Sequence, residues 1–100
     1  MTFYETVKQI GLPVAYGYHS EEQRLPYLCI LGAGQVSFRA DNIDYVKHDQ
    51  YTLEYYYKRK DPEQEAVIES LLSDNGYLYS KSEDVYIDSE DVFVIYYEVI

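Results

Sequence analysis

Between Tyr51 and Lys58 the chain alternates with a period of two. Tyr51, Leu53, Tyr55 and Tyr57 share one parity, Thr52, Glu54 and Lys58 share the other, and Tyr56 alone breaks the pattern. That spacing predicts a strand with one buried face, opening near Ile43. The periodicity then changes. Asp61-Pro62-Glu63-Gln64 supplies a cap acceptor, a proline at the first helical position and a glutamine three residues after the cap, so a helix starts there. Val67, Ile68, Leu71 and Leu72 recur at helical spacing as one apolar stripe, with Glu63, Glu65 and Glu69 expected to face away from it. Asn75-Gly76 ends the helix, and the residues up to Ile100 read as a final hairpin.

The first half is patterned less regularly. Thr2 and Glu5 have the spacing of a capping box, and Phe3, Val7 and Ile10 fall three or four apart before Gly11 and Pro13, which predicts a short amphipathic helix. Leu25 to Leu31 is apolar on both parities apart from Pro26, as in a strand covered on two sides. Gly32-Ala33-Gly34 is expected to turn the chain into a second strand through Val36 and Phe38. The resulting order is α-β-β-β-α-β-β. Short connections and few helices place it in the α+β class, a two-layer sandwich of mainly antiparallel sheet carrying one long helix and a short N-terminal one.

The closing strand adds a complication. If Phe93, Ile95, Tyr97 and Val99 face the long helix, then Val92, Val94, Tyr96 and Ile100 point to the opposite side, where Glu98 is the one charge. Such a face must be covered, either by the N-terminal helix or by another subunit, and a subunit is the expectation, with Tyr56, Val94 and Tyr96 at the interface.

Composition narrows the function. A hundred residues are expected to form one domain, 1–100. The net charge is −10, with eight Lys and Arg against eighteen acids, so a phosphate-binding stripe is not expected and neither is sequence-specific nucleic-acid binding. Twelve of the acids lie in residues 51–100. No apolar run approaches the roughly 18 residues of a membrane span, and the expected location is the cytosol. Fourteen tyrosines, ten of them from Tyr45 onward, exceed what a core of this size needs. Tyrosine keeps a polar tip that seeks water or a partner, which favours an interface for about half of them.

Candidate chemistry is sparse. Cys29 is the lone cysteine, which excludes an internal disulfide, and its place inside Leu28-Cys29-Ile30 favours a buried structural thiol over a nucleophile paired with His19 or His48. His48, between Lys47 and Asp49, reads as a solvated histidine. Gly32-Ala33-Gly34 lacks the third glycine and the Lys-Ser/Thr of a phosphate loop. Glu83, Asp84, Asp88, Glu90 and Asp91 crowd nine residues without a base, yet they lack the alternating ligand spacing of a calcium loop and read as a solvated, repulsive hairpin tip. No catalytic set, cofactor or metal site is expected.

Several segments together carry a family resemblance: Leu12-Pro13-Val14-Ala15-Tyr16-Gly17-Tyr18, Leu25-Pro26-Tyr27, Tyr51-Thr52-Leu53-Glu54-Tyr55-Tyr56-Tyr57, Lys60-Asp61-Pro62-Glu63-Gln64-Glu65-Ala66, Tyr79-Ser80-Lys81-Ser82-Glu83 and Tyr96-Tyr97-Glu98-Val99. In these strand, helix and turn residues, spread along nearly the whole chain, it resembles the small tail-completion proteins, or tail terminators, of long-tailed bacteriophages and of prophages in Gram-positive bacteria. The resemblance implies a non-enzymatic subunit that forms a ring, usually a hexamer, on the last ring of the tail tube protein and docks to the head connector protein. It implies assembly in the host cytoplasm, a final place at the virion head–tail junction, and a subunit that can stay monomeric until it meets the tube. The acidity would then serve a channel that passes DNA without holding it, since each cation–phosphate contact strengthens binding. Two other classes stay open: an acidic DNA-mimic inhibitor of a host nuclease, and a small-molecule-binding regulatory domain with an apolar pocket.

Overall fold

The computed structural model describes residues 2–40 and 44–100, and side chains outside residues 36–48. The order is α1 (Phe3–Lys8), β1 (Val14–Tyr16), β2 (Tyr27–Ala40), β3 (Asp44–Tyr57), α2 (Pro62–Asp74), β4 (Tyr79–Lys81), β5 (Val85–Ile87) and β6 (Val92–Val99). It is an α+β fold with a six-stranded, mostly antiparallel sheet, one 13-residue helix and a short N-terminal helix. The sheet runs β1-β2-β3-β6-β4, with β5 also paired to β6, and only the β1–β2 pairing is parallel.

Both helices begin where local chemistry places them. Thr2 Oγ1 accepts from the Glu5 amide at 3.1 Å and Glu5 Oε1 accepts from the Thr2 amide at 3.2 Å, a complete capping box. Asp61 Oδ1 accepts from the Gln64 amide at 3.2 Å, just ahead of Pro62. At the far end of α2, Gly76 adopts φ +83°, its amide bonding Ser73 O and the Tyr77 amide bonding Leu72 O, each at 3.0 Å. This is a Schellman ending, which needs a residue free to enter the left-handed region.

Register divides the sheet into two faces. Leu28, Tyr55 and Ile95 lie side by side on one face, as do Ile30, Leu53 and Tyr97. This face forms the core with Ile68 and Leu72 of α2 and Phe3 and Val7 of α1. Phe3 stacks on Tyr51 with centroids 4.3 Å apart. On the opposite face the rows are Tyr27-Tyr56-Val94-Val85 and Cys29-Glu54-Tyr96.

Four expectations need correction. Gly32-Ala33-Gly34 does not turn the chain: β2 continues through it, and the register slips from Gly32↔Tyr51 to Gln35↔Asp49. One extra residue is taken up as a bulge at which Gly34 adopts φ +95°. The parallel strand β1 was not expected, being only three residues long. The buried positions of α2 are Glu65, Ile68 and Leu72, whereas Val67 is 50% exposed and Leu71 only half-buried. The helix is therefore rolled relative to the predicted stripe, and Glu65 faces in instead of out. Finally, the hairpin formed by β5 and β6 is preceded by a further short strand, β4, on the same edge of β6.

Beyond Tyr51↔Val99, β3 has no pairing to β6, and β1 pairs with β2 no further than Ile30. Gln35–Ala40 and Asp44–Asp49 are thus paired only with each other among the described residues, as a two-stranded arm. The molecule measures 51 × 25 × 24 Å, and its radius of gyration of 14.9 Å exceeds the ~13 Å of a compact chain of this length.

Ile68→Ala and Leu72→Ala should each cost ~2–5 kcal/mol in urea melts, because both side chains are fully buried. Val67→Ala should change stability by no more than ~0.5 kcal/mol. Equal losses at all three positions would contradict the observed roll of α2.

Candidate functional site

The second face of the sheet is not left bare. Residues 17–23 and Leu25, between β1 and β2, border a half-open cavity of about 560 Å³ with Tyr27, Cys29, Glu54 and Tyr56 on its floor and Glu90 and Val92 at its edge. The floor follows directly from register, since Tyr27 opposes Tyr56 and Cys29 opposes Glu54. Tyr27 and Tyr56 stack with centroids 5.0 Å apart, and His19 meets Tyr27 edge-on at 5.0 Å. His19 Nε2 lies 3.0 Å from the Leu28 carbonyl, so this nitrogen carries the proton and anchors the segment to β2.

Glu54 is the ionisable centre of this floor. Tyr56 donates its hydroxyl to Glu54 Oε1 at 3.1 Å, and burial holds the Glu54 carboxyl above its ordinary value despite that bond. Burial, with the Glu54 charge adding to it, also drives the Tyr56 phenol up. Cys29 is 5% exposed, and burial followed by the Glu54 charge pushes its thiol up to about 11. A thiol held neutral in this way is a poor nucleophile, and the His19 imidazole that lines the same cavity is already bonded to backbone. Cys29 is therefore not an activated attacking group.

The three expected interface residues fall on this face at different depths. Val94 lies between Tyr56 and Val85 and is fully buried within the chain itself, which leaves it no surface to offer a partner. Tyr56 and Tyr96 are half-buried. Residues 17–23 and Leu25 border the part of this face that carries Tyr27, Cys29, Glu54 and Tyr56.

The acidic hairpin is only partly a free surface. Asp84 accepts from the Tyr57 hydroxyl and lies 3.0 Å from Lys60 Nζ; Asp91 pairs with Lys58 and accepts from the Tyr86 hydroxyl at 2.6 Å. Glu83, Asp88 and Glu90 are exposed, and Glu90 borders the cavity. Asp91 closes the turn at φ +53°, a conformation that aspartate tolerates. Among the described residues, no three His, Cys, Asp or Glu side chains converge as metal ligands. His48, whose side chain was read as solvated, lies outside the described side chains.

Between α2 and the sheet runs a network that sequence reasoning missed. The Glu65 side chain, 4% exposed, lies 2.9 Å from Lys60 Nζ and 2.8 Å from Lys81 Nζ. Glu69 takes Lys81 at 2.8 Å and the Tyr97 hydroxyl at 2.8 Å. Burial works against the charges of Glu69 and Lys81, but their bonds prevail: Lys81 and then the Tyr97 hydroxyl hold Glu69 below its ordinary value, and Glu65 and then Glu69 hold Lys81 above its own. Asp84 is likewise lowered, by the Tyr57 hydroxyl first and then by Lys60. A signal existed: Lys60 and Lys81 flank α2 and are two of the four cations in the second half of the chain. What periodicity lacked was any indication of which acid they would meet.

Among the described residues, no helix is long and apolar enough to cross a membrane. Compared with models of protein families and with curated proteins, the chain matches none.

These shifts set two pH limits. Glu69 and Asp84 have lowered folded-state values, so their stabilisation is complete above the ordinary carboxylate range and is lost as pH falls through it into acid. Tyr55, pushed up to about 12 by burial, and Tyr56, Tyr57 and Tyr97, also raised chiefly by burial, act in the opposite direction. Their contribution is complete below the ordinary tyrosine value of ~10 and is lost as pH rises above it. Absorbance titration of phenolate should show these four ionising together with loss of near-UV circular dichroism; independent titration near pH ~10 in a folded protein would contradict their burial.

Proposed function

We propose that this protein is a non-enzymatic assembly subunit, the tail terminator or an adjoining head–tail joining component of a long-tailed bacteriophage or prophage. It acts as one member of a ring, hexameric by the resemblance, that caps the tail tube and docks to the head connector. The family resemblance supplies the identity of the partners, and one structural observation carries the assembly reading: the two-stranded arm of β2 and β3.

An isolated two-stranded ribbon is marginal in water, and both of its outer edges expose backbone donors and acceptors. A chain that extends such an arm from a packed body carries a natural connector to a neighbour, which completes the hydrogen bonding that the arm lacks. Tyrosines support the same reading. Tyr16 is 61% and Tyr18 81% exposed, and Tyr96 is half-buried on β6, so aromatic surface remains available for a partner. Acidity fits a DNA passage lined without cations, although Asp84 and Asp91 are neutralised by lysines and the repulsive surface reduces to Glu83, Asp88 and Glu90 with their neighbours.

Light scattering on the purified protein, alone and mixed with a phage tail tube protein from the same genome, reads the ring directly. Replacing residues 35–49 with an Asn-Gly turn should leave a folded, cooperatively melting body that no longer enters the ring, and Tyr96→Lys should weaken entry at least tenfold. A protein that stays monomeric with the tube present, or an arm deletion that still completes tails of normal length, would overturn the proposal. Val94→Lys is unsuitable as an interface probe, since a charge at this fully buried position unfolds the chain.

A further inference from the structure

The cavity over the second face holds a carboxylate in a condition found at no other buried or half-buried acid just described. Glu65 is matched by two lysines and Glu69 by one. Glu54, half-buried and with its carboxyl raised by burial, receives the Tyr56 hydroxyl and has no ion-pair partner among the described residues. Lining the same cavity are Glu21, Glu22 and Glu90; Arg24 belongs to the bordering segment but not to the lining, and among the described residues neither Lys nor Arg lines the cavity. A half-buried anion facing further anions is costly unless a positive charge arrives.

Three properties define what would fit. At about 560 Å³ the space is within the range of small-molecule sites, ~300–1,000 Å³. Its floor is aromatic, with Tyr27 and Tyr56 stacked at 5.0 Å, and tyrosine faces attract cations that have shed part of their water. The carboxylates that line it, Glu21, Glu22, Glu54 and Glu90, disfavour phosphates and carboxylates and draw cations to the mouth. A hard metal ion fits poorly, because no three ligating side chains converge among the described residues. An organic cation uses both the carboxylate and the rings.

We propose that this cavity binds an ammonium or guanidinium group, with Glu54 as its counter-ion, Tyr56 orienting that carboxylate, and the Tyr27 and Tyr56 rings as its wall. The group has two sources, a free organic amine or a Lys or Arg side chain of another protein. This inference stands apart from the ring reading, because the cavity belongs to a single subunit.

The experiment titrates the full chain, at constant ionic strength with sodium chloride as the blank, using methylguanidinium, tetramethylammonium and the blocked peptide acetyl-Gly-Arg-Gly-amide. Chemical shifts of the Tyr27 and Tyr56 rings report the site. At least one probe should bind saturably, and Glu54→Gln should weaken it at least tenfold, while Glu63→Gln on the exposed side of α2 leaves it unchanged. Glu54→Asp, which retains the charge, should bind more weakly than the parent but better than Glu54→Gln, and serves if the glutamine variant fails to fold. Tighter binding of the peptide assigns the site to a protein side chain; tighter binding of the free ions assigns it to an amine. No saturation by any probe into the millimolar range, or equal binding by the parent and Glu54→Gln, overturns the proposal whether or not the protein forms rings.

Discussion

The pairing register of β3 is the constraint on which the rest of the molecule depends. β3 lies between β2 and β6, so its alternation decides both faces of the sheet together. Leu53, Tyr55 and Tyr57 enter the core beneath the helices, and Glu54 and Tyr56 are presented to the cavity. A slip by one residue would exchange the two sets, placing a carboxylate beneath α2 and removing the acid from the cavity. The bulge at Gly32/Gln35 also acts through register. By absorbing one residue of β2, it lets the two strands continue past the body in phase and form the arm.

The long helix is held by two unlike interactions. Ile68 and Leu72 supply apolar burial, whereas Glu65 and Glu69 reach lysines from both flanks, Lys60 before the helix and Lys81 after it. Buried ion pairs add little to stability compared with apolar residues of the same shape, because desolvation offsets attraction. Their effect here is directional: Glu65 can be buried in only one rotation of α2, the rotation that brings it to both lysines. Tyr97, donating to Glu69 from the sheet, ties the same rotation to β6. The hydroxyl of Tyr57 and the ammonium of Lys60 extend the network to Asp84 and so fix the entry to the final hairpin.

These two systems separate the molecule's possible partners. The α-helical face is closed by its own charges and core. The arm and the exposed tyrosines offer backbone edges and amphipathic rings, which suit another protein subunit. The cavity offers one uncompensated carboxylate between aromatic rings, which suits a cation. The arm continues β2 and β3 beyond the body, whereas Tyr18 lines the cavity and Tyr96 lies in the row of Glu54, so the aromatic surface and the pocket adjoin each other.

Local signals settled much of the architecture. Capping residues at Thr2, Asp61 and Asn75-Gly76, and the strict alternation from Tyr51 to Tyr57, each act within a few residues, so the elements they specify are legible in the chain. The class, the antiparallel character and the burial of Leu28, Cys29 and Ile30 followed from the same signals. Tertiary structure decided the rest. Strand β1 exists only because β2 pairs with it, three residues being too few to leave a periodic trace. Val67 and Glu65 sit two positions apart on a helix whose apolar stripe is broad, and which of them turns inward depended on lysines distant in sequence. The cavity above Glu54 is bordered by residues 17–23 and Leu25, a segment without periodicity whose position is set by where its two ends enter the sheet. Composition established that the chain is acidic and rich in tyrosine; only the folded sheet decided which acid would lie half-buried among tyrosines with no ion pair among the described residues.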